Sequence, residues 1–325
     1  MLLRINRFLN KIMPIITPTS VLIGIIFADF FSPYTYLVPW IFAAITFIGS
    51  LGSNFTSFKQ VLSHPLPIFI AMIVLHIVMP LVALATGHIV FPGDIYTITG
   101  LTLIMVIPTG VTSLLWVSIY KGNLPLALSI VLIDTFLSPF IVPYSLSLLF
   151  GQHVEMEVWG MMKGLLGMVV IPSLVGMGLN EWTKGKVHTR FSPKLAPFSK
   201  VGIALVVIIN SSAIAPYLRN INGKLLLTMA VVVFVCASGY MVAWGIGRLL
   251  NWKRDEGISL LFAGGMRNIS AGTVLAVAYF PAPVAIPVVV GMLFQQTLAS
   301  FYGYLIDKFY EQRMRPAVKA SDEKM

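Results

Sequence analysis

Charge is what this sequence has least of. Of 325 residues only 10% are Asp, Glu, Lys or Arg, whereas 57% are hydrophobic. A soluble globular domain carries roughly 25% charged residues. So little charge cannot cover a water-exposed surface of this size, and the solvent for most of the chain is lipid. Cysteine is nearly absent: Cys236 stands alone in an apolar run, which excludes a disulfide framework and a cysteine-based metal site. The motifs G-x-S-x-G, H-E-x-x-H and G-x-x-x-x-G-K-[ST] are missing as well. No enzyme signature is present, no organic cofactor is implied, and any uphill work must draw on an ion or solute gradient instead of ATP.

What the sequence does contain is long apolar runs. A helix needs about 20 apolar residues to cross the hydrocarbon. Runs of that kind lie at 12–31, 37–53, 66–91, 95–119, 124–150, 156–180, 196–218, 224–250, 257–280 and 282–307. The first follows Arg4, Arg7 and Lys11, as a signal peptide would, but it is of spanning length and no small-x-small cleavage site follows, so it reads as a retained helix. The formal charge of +10 does not indicate nucleic acid, because the basic residues sit in short gaps between apolar runs. Alternate gaps are basic: Lys59, Lys121, the group from Lys184 to Lys200, Arg248 with Lys253 and Arg254, and the C-terminal tail. The others hold only Arg219 and Lys224, together with Asp94, Glu155 and Glu157. Positive charge is retained in the cytoplasm, so ten spans with both termini cytoplasmic, facing anionic lipid in the cell membrane, are expected. The longest polar connection, near 181–197, divides the spans five and five, and an odd number per half makes the halves opposite in orientation. The expected organisation is one transmembrane domain with repeats at 12–150 and 156–308 and a cytoplasmic tail at 309–325.

The fourth span of each half is interrupted. Pro108-Thr109-Gly110 breaks one run and Gly264-Gly265-Met266-Arg267-Asn268 the other, each beside polar residues: Thr112 and Ser113 in the first, Ser270 in the second. Pro108 removes a helix donor and Gly110 admits unusual dihedrals. Unwound backbone at membrane depth is tolerated only against protein or a water-filled cavity, and matched interruptions mark the binding site of inverted-repeat carriers. Ordinary membrane-helix kinks are the plainer reading of either break alone. Two charges lie inside the spans. Asp134 falls in the middle of the fifth and Arg267 at the second break. A charge at the bilayer centre costs about 2.5–3.5 kcal/mol on insertion scales, so both are functional candidates, and pairing across the core is the cheapest way to keep them. His76 in the third span, Asn210-Ser211-Ser212 in the seventh and Gln295-Gln296 in the tenth add polar groups at mid-depth. They either join helices or line a polar cavity.

The segments Pro108-Thr-Gly-Val-Thr-Ser-Leu-Leu, Lys121-Gly-Asn and Thr135-Phe-Leu-Ser-Pro139 resemble those of the bile acid:sodium symporter family. Gly265-Met266-Arg267-Asn268, Ala285-Ile286-Pro287, Ser57-Phe58-Lys59-Gln60 and Met79-Pro80 are similar to further segments of it, in the same order over roughly residues 10 to 310. The resemblance implies an all-α integral membrane fold of ten helices in two inverted five-helix repeats, with core and panel domains and crossed, broken fourth and ninth helices. It also implies sodium-driven import of a small organic anion. The ion positions differ: a sodium-binding Glu of the family aligns with Ala263, its following Gln with Arg267, a fourth-helix Asn with Leu114 and a tenth-helix His-Asn pair with Gln295-Gln296.

The expected substrate-binding set is therefore Thr109, Thr112, Arg267, Asn268, Ser270, Gln295 and Gln296. Asp134, Ser113 and Thr135 are the expected ion-coupling residues, with His76 and Asn210 as further cavity groups. Arg267 either replaces one sodium permanently or grips a carboxylate. The coupling ion, sodium or a proton, stays open, as do the efflux permeases and exchangers of the same superfamily, a channel and a transport-derived sensor.

Overall fold

A computed structural model of the chain describes residues 15–53, 65–154, 156–219 and 222–322, with the side chains of 311–322 left aside. Arg4, Arg7, Lys11, Lys59, Glu155 and the last tail residues lie outside the described residues. The fold is all-helical apart from one isolated backbone bridge. In order, α1 is Ile15–Ile26, α2 Ala28–Ser50, α3 Pro65–Val90, α4 Ile95–Val106, α5 Ser113–Ile119 and α6 Leu124–Phe150. Then come α7 Val158–Trp182, α8 Ser192–Ala213, α9 Gly223–Leu249, α10 Arg254–Gly265, α11 Ile269–Tyr279 and α12 Ala282–Asp322. Seven of these are long and apolar enough to cross a bilayer: α2, α3, α6, α7, α8, α9 and the Ala282–Tyr310 part of α12. The protein is a multi-pass membrane protein.

Local chemistry explains the boundaries. A helix start leaves N–H groups without partners, and an Asn or Asp side chain covers them. Asp94 accepts from Thr97 N–H to open α4, Asn123 from Leu126 N–H to open α6, Asn222 from Leu225 N–H to open α9, and Asn268 from Ala271 N–H to open α11. The expected spans at 95–119 and 257–280 are each split in two, at 107–112 and 266–268. The expected run 12–31 ends sooner: α1 stops at Ile26, and Asp29 already belongs to α2, whose first turn Ala28–Phe31 is followed by a tight 3₁₀ stretch through Ser32–Leu37 around Pro33. The expected polar connection near 181–197 is mostly helical, with a short turn Lys186–Arg190 leading directly into α8.

Two helices widen by one residue for one turn, α3 at Val74–Val78 and α7 at Leu166–Val170. In both, a proline stands two residues after the wide turn, Pro80 and Pro172. A proline has no N–H and its ring clashes with the carbonyl four residues back, so the ladder opens to five-residue spacing there.

The interior is built around α4, α6 and α10, whose residues are largely buried, whereas most residues of α2 are half-buried or exposed. Charge gathers by ends. Asn123 N–H donates to Asp255 O, Arg254 pairs with Asp307 at 2.9 Å and Arg248 stacks over Phe309, which brings three of the basic connections to one end. Asp94 pairs with Lys224 at 2.8 Å in two of the sparse connections.

Candidate functional site

The two interruptions meet. Gly110 N–H donates to Met266 O at 3.0 Å and Asn268 N–H to Pro108 O at 2.7 Å, so Thr109 and Arg267 face each other as a one-rung antiparallel ladder. Each strand satisfies backbone groups that the other helix break leaves open, which is what an apolar interior demands. Close approach requires glycine here: a Cβ on Gly110 would lie 2.9 Å from Arg267 O. On the far side, a Cβ on Gly265 would enter the Tyr240 ring.

Side chains complete the crossing reciprocally. Thr109 Oγ1 donates to Ala263 O, near the end of α10, at 3.0 Å. Arg267 Nη1 donates to Ile107 O, at the end of α4, at 3.4 Å. Arg267 Nη2 reaches a third element, Leu75 O in α3, at 3.3 Å. That carbonyl is free because of the wide turn. Met79 N–H turns to Val74 O, and Pro80, which would serve Leu75 O in a five-residue ladder, has no N–H.

The expected pairing of Asp134 with Arg267 is replaced by a different contact. Asp134 lies fully buried in α6, with Oδ2 accepting Thr109 N–H at 2.7 Å and Oδ1 2.9 Å from His76 Nε2. Arg267, 1% exposed, forms no ion pair with it, because its fork is committed to the two carbonyls. His76, which the sequence offered only as a cavity group, is the carboxylate's partner. The signal for it was Pro80, four residues on, which makes the backbone at His76 irregular and turns that part of α3 toward the crossing.

Beside the crossing lies a cavity of about 330 Å³. From the expected set, Thr112, Asn268, Ser270, Gln295, Gln296 and Thr135 line it. Gln295 Nε2 donates to Arg267 O at 2.7 Å, and Gln296 Oε1 accepts from Trp116 Nε1 at 3.1 Å, so both amides are held in place. Thr109, Arg267, Asp134 and His76 do not line the cavity but stand behind its wall, Thr109 and Arg267 through the ladder and Asp134 next to Thr135. Ser113 is fully buried, with no hydrogen-bond partner for its hydroxyl among the described residues. Asn210 is buried in α8 away from the cavity lining. The opposite wall was missed: Thr46, Ser50 and Ser173 also line the cavity. Thr46 and Ser50 donate to carbonyls one turn back in their own helix, Phe42 O and Thr46 O, which makes them look like ordinary membrane-helix hydroxyls in sequence. Their spacing of four, on one face of α2, was the available sign. No charged residue lines the cavity, and no cluster of three His, Cys, Asp or Glu suited to a metal occurs among the described residues.

A multi-pass helical protein with two broken helices crossed in its interior and a polar-lined cavity beside the crossing has the form of a membrane carrier. Comparison with known proteins identifies the group: the profile of the Sodium Bile acid symporter family matches residues 40–221, and the chain belongs to this family. It is 55% identical over 91% of its length to 97% of uncharacterized protein YbaS of Bacillus subtilis (strain 168). It is 27% identical over 81% of its length to 83% of the uncharacterized sodium-dependent transporter YocS of the same organism. It is 28% identical, again over 81%, to the probable sodium/metabolite cotransporter BASS1, chloroplastic, of Oryza sativa subsp. japonica, of which it spans 63%.

Proposed function

We propose that this protein is a secondary active transporter of a small organic anion, a carboxylate or a bile-acid-like compound, coupled to a cation gradient of sodium or protons. The observation that carries the reading is the cavity itself. It sits where two helix breaks cross, it has a volume in the range of small-molecule sites, and it combines apolar walls with convergent hydroxyls and fixed amides. On this reading the helices form ten spans in two inverted repeats, 12–150 and 156–308, α4/α5 and α10/α11 being the broken fourth and ninth spans. The crossing belongs to a core and the hydroxyl wall of α2 and α7 to a panel. The protein resides in the cell membrane, plasma or inner, with both termini facing the cytoplasm.

Substrate recognition falls to Thr112, Asn268, Ser270, Gln295 and Gln296, with Thr109 and Arg267 fixing the wall behind them. Neutral donors grip an anion without trapping it, which suits a molecule that must be released on the other side. Ser113, Thr135 and Asp134 supply oxygen atoms for one coupling cation, and the names of YocS and BASS1 favour sodium among the relatives. The test is counterflow in proteoliposomes with labelled pyruvate, pantoate and taurocholate. Exchange of at least one of them is expected. Indifference to all three, with the protein correctly inserted, sinks the carboxylate reading.

A further inference from the structure

We infer that the Arg267 guanidinium is a tethered cation that permanently fills an oxygen-lined cation locus at the crossing, so that transport draws no mobile cation through that place. The argument starts from the backbone. Two carbonyls point at one guanidinium: Pro80 has no N–H to offer Leu75 O, and Ile107 O is left open where α4 ends, its backbone extended at ψ 150 ahead of Pro108. Ile107 also ends α4, where the helix dipole concentrates negative partial charge. Converging carbonyls at the end of a helix, with the Asp134 carboxylate held in the same core by Thr109 N–H, make a site of the kind that hard monovalent cations occupy when carbonyl oxygens replace their hydration shell. Here the guanidinium already donates to both carbonyls. It is the largest fully buried side chain among the described residues.

The chain therefore carries its own positive charge in the same buried core as the Asp134 carboxylate, which Thr109 N–H and His76 hold in place. Because the charge is covalently attached, the crossing is assembled whether or not sodium is present. Coupling is then limited to a second locus near Ser113 and Thr135. This inference deepens the carrier reading and rests on it for its consequence, but the cation response below is read on substrate-free protein. A failed counterflow experiment leaves the tethered cation standing, and a failed cation response leaves counterflow untouched.

The experiment compares thermal unfolding of the purified full-length protein in choline chloride, sodium chloride and methylguanidinium chloride at matched ionic strength. Arg267→Ala and Arg267→Gln are expected to unfold below the wild type in choline. Each is expected to gain at least about 2 °C more than the wild type from methylguanidinium or sodium, because the vacated locus now binds an ion. Arg219→Ala, which removes an exposed Arg that also donates to a backbone carbonyl, is expected to follow the wild type. Responses of both Arg267 variants that match the wild type overturn the inference. Should neither variant fold, equilibrium binding of ²²Na⁺ to the wild type decides: at most one ion per chain supports the tethered cation, and two per chain overturns it.

Discussion

Thr109 and Arg267 occupy equivalent places in the two breaks, and they do equivalent work with very different chemistry. Each sits in the rung of the ladder, and each side chain donates to a carbonyl near the end of the other's helix. A hydroxyl suffices on the α10 side because Ala263 O is the one acceptor there. On the α4 side the donor must reach Leu75 O as well as Ile107 O, which a long, forked group does. The first break is made by a proline and supplies acceptors; the second is made by glycines and supplies the cation. The two breaks are electrostatically unlike: only the second brings a charge to the crossing.

The comparison is broken most severely by removing the charge on either side. Asp134→Asn is expected to abolish counterflow while the protein still inserts, since it removes the buried carboxylate that holds Thr109 N–H and His76; unchanged exchange would remove Asp134 from the mechanism. Arg267→Met leaves two buried carbonyls without their donor and removes the buried charge, and about 3–5 kcal/mol of stability should go with it in denaturant-induced unfolding. Thr109→Val leaves one carbonyl unserved and should cost only about 1–3 kcal/mol. Equal losses for these two variants would erase the asymmetry. Pro80→Ala sharpens the point: it restores a backbone donor in α3, so the double variant Pro80→Ala, Arg267→Met should lose less than the two single losses combined, with a coupling on the order of 1 kcal/mol. Strict additivity would show that Leu75 O does not depend on Arg267.

The smallest effect lies at the periphery, on the Asp94–Lys224 pair. Burial pushes the Asp94 carboxyl up, but hydrogen bonds and charge from Lys224 and the Thr97 donors outweigh it and hold it below its ordinary value. A depressed carboxylate contributes stability above its unfolded pKa of roughly 3.9 and loses it as pH falls through the folded value. Lys224→Ala should therefore weaken the protein by less than about 1 kcal/mol at neutral pH, and the difference should vanish at acid pH.

Much of this was legible in the sequence, and the limits have physical causes. The breaks announced themselves because Pro108 and Gly264-Gly265 violate helix propensity inside apolar runs. Asp134 and Arg267 stood out because charge is expensive in lipid. Their mutual arrangement was not legible: opposite charges suggest a pair, but the guanidinium serves two carbonyls left open by Pro80 and by the end of α4, and sequence does not show where those carbonyls point. His76 went underweighted for the same reason. The hydroxyl wall of α2 was hidden because Thr46 and Ser50 satisfy themselves within their own helix, and only the juxtaposition of α2 with the crossing gives them a cavity to line.

The short ladder between Gly110 and Met266 and between Asn268 and Pro108 has one more consequence. An irregular stretch is thereby pinned across two elements, and opening it leaves two backbone donors and two carbonyls without partners. In deuterium exchange the amides of Gly110 and Asn268 should keep their protons about as long as those in the middle of α6. Any conformational cycle must then carry the crossing along as a single stiff piece, with the yielding seam elsewhere.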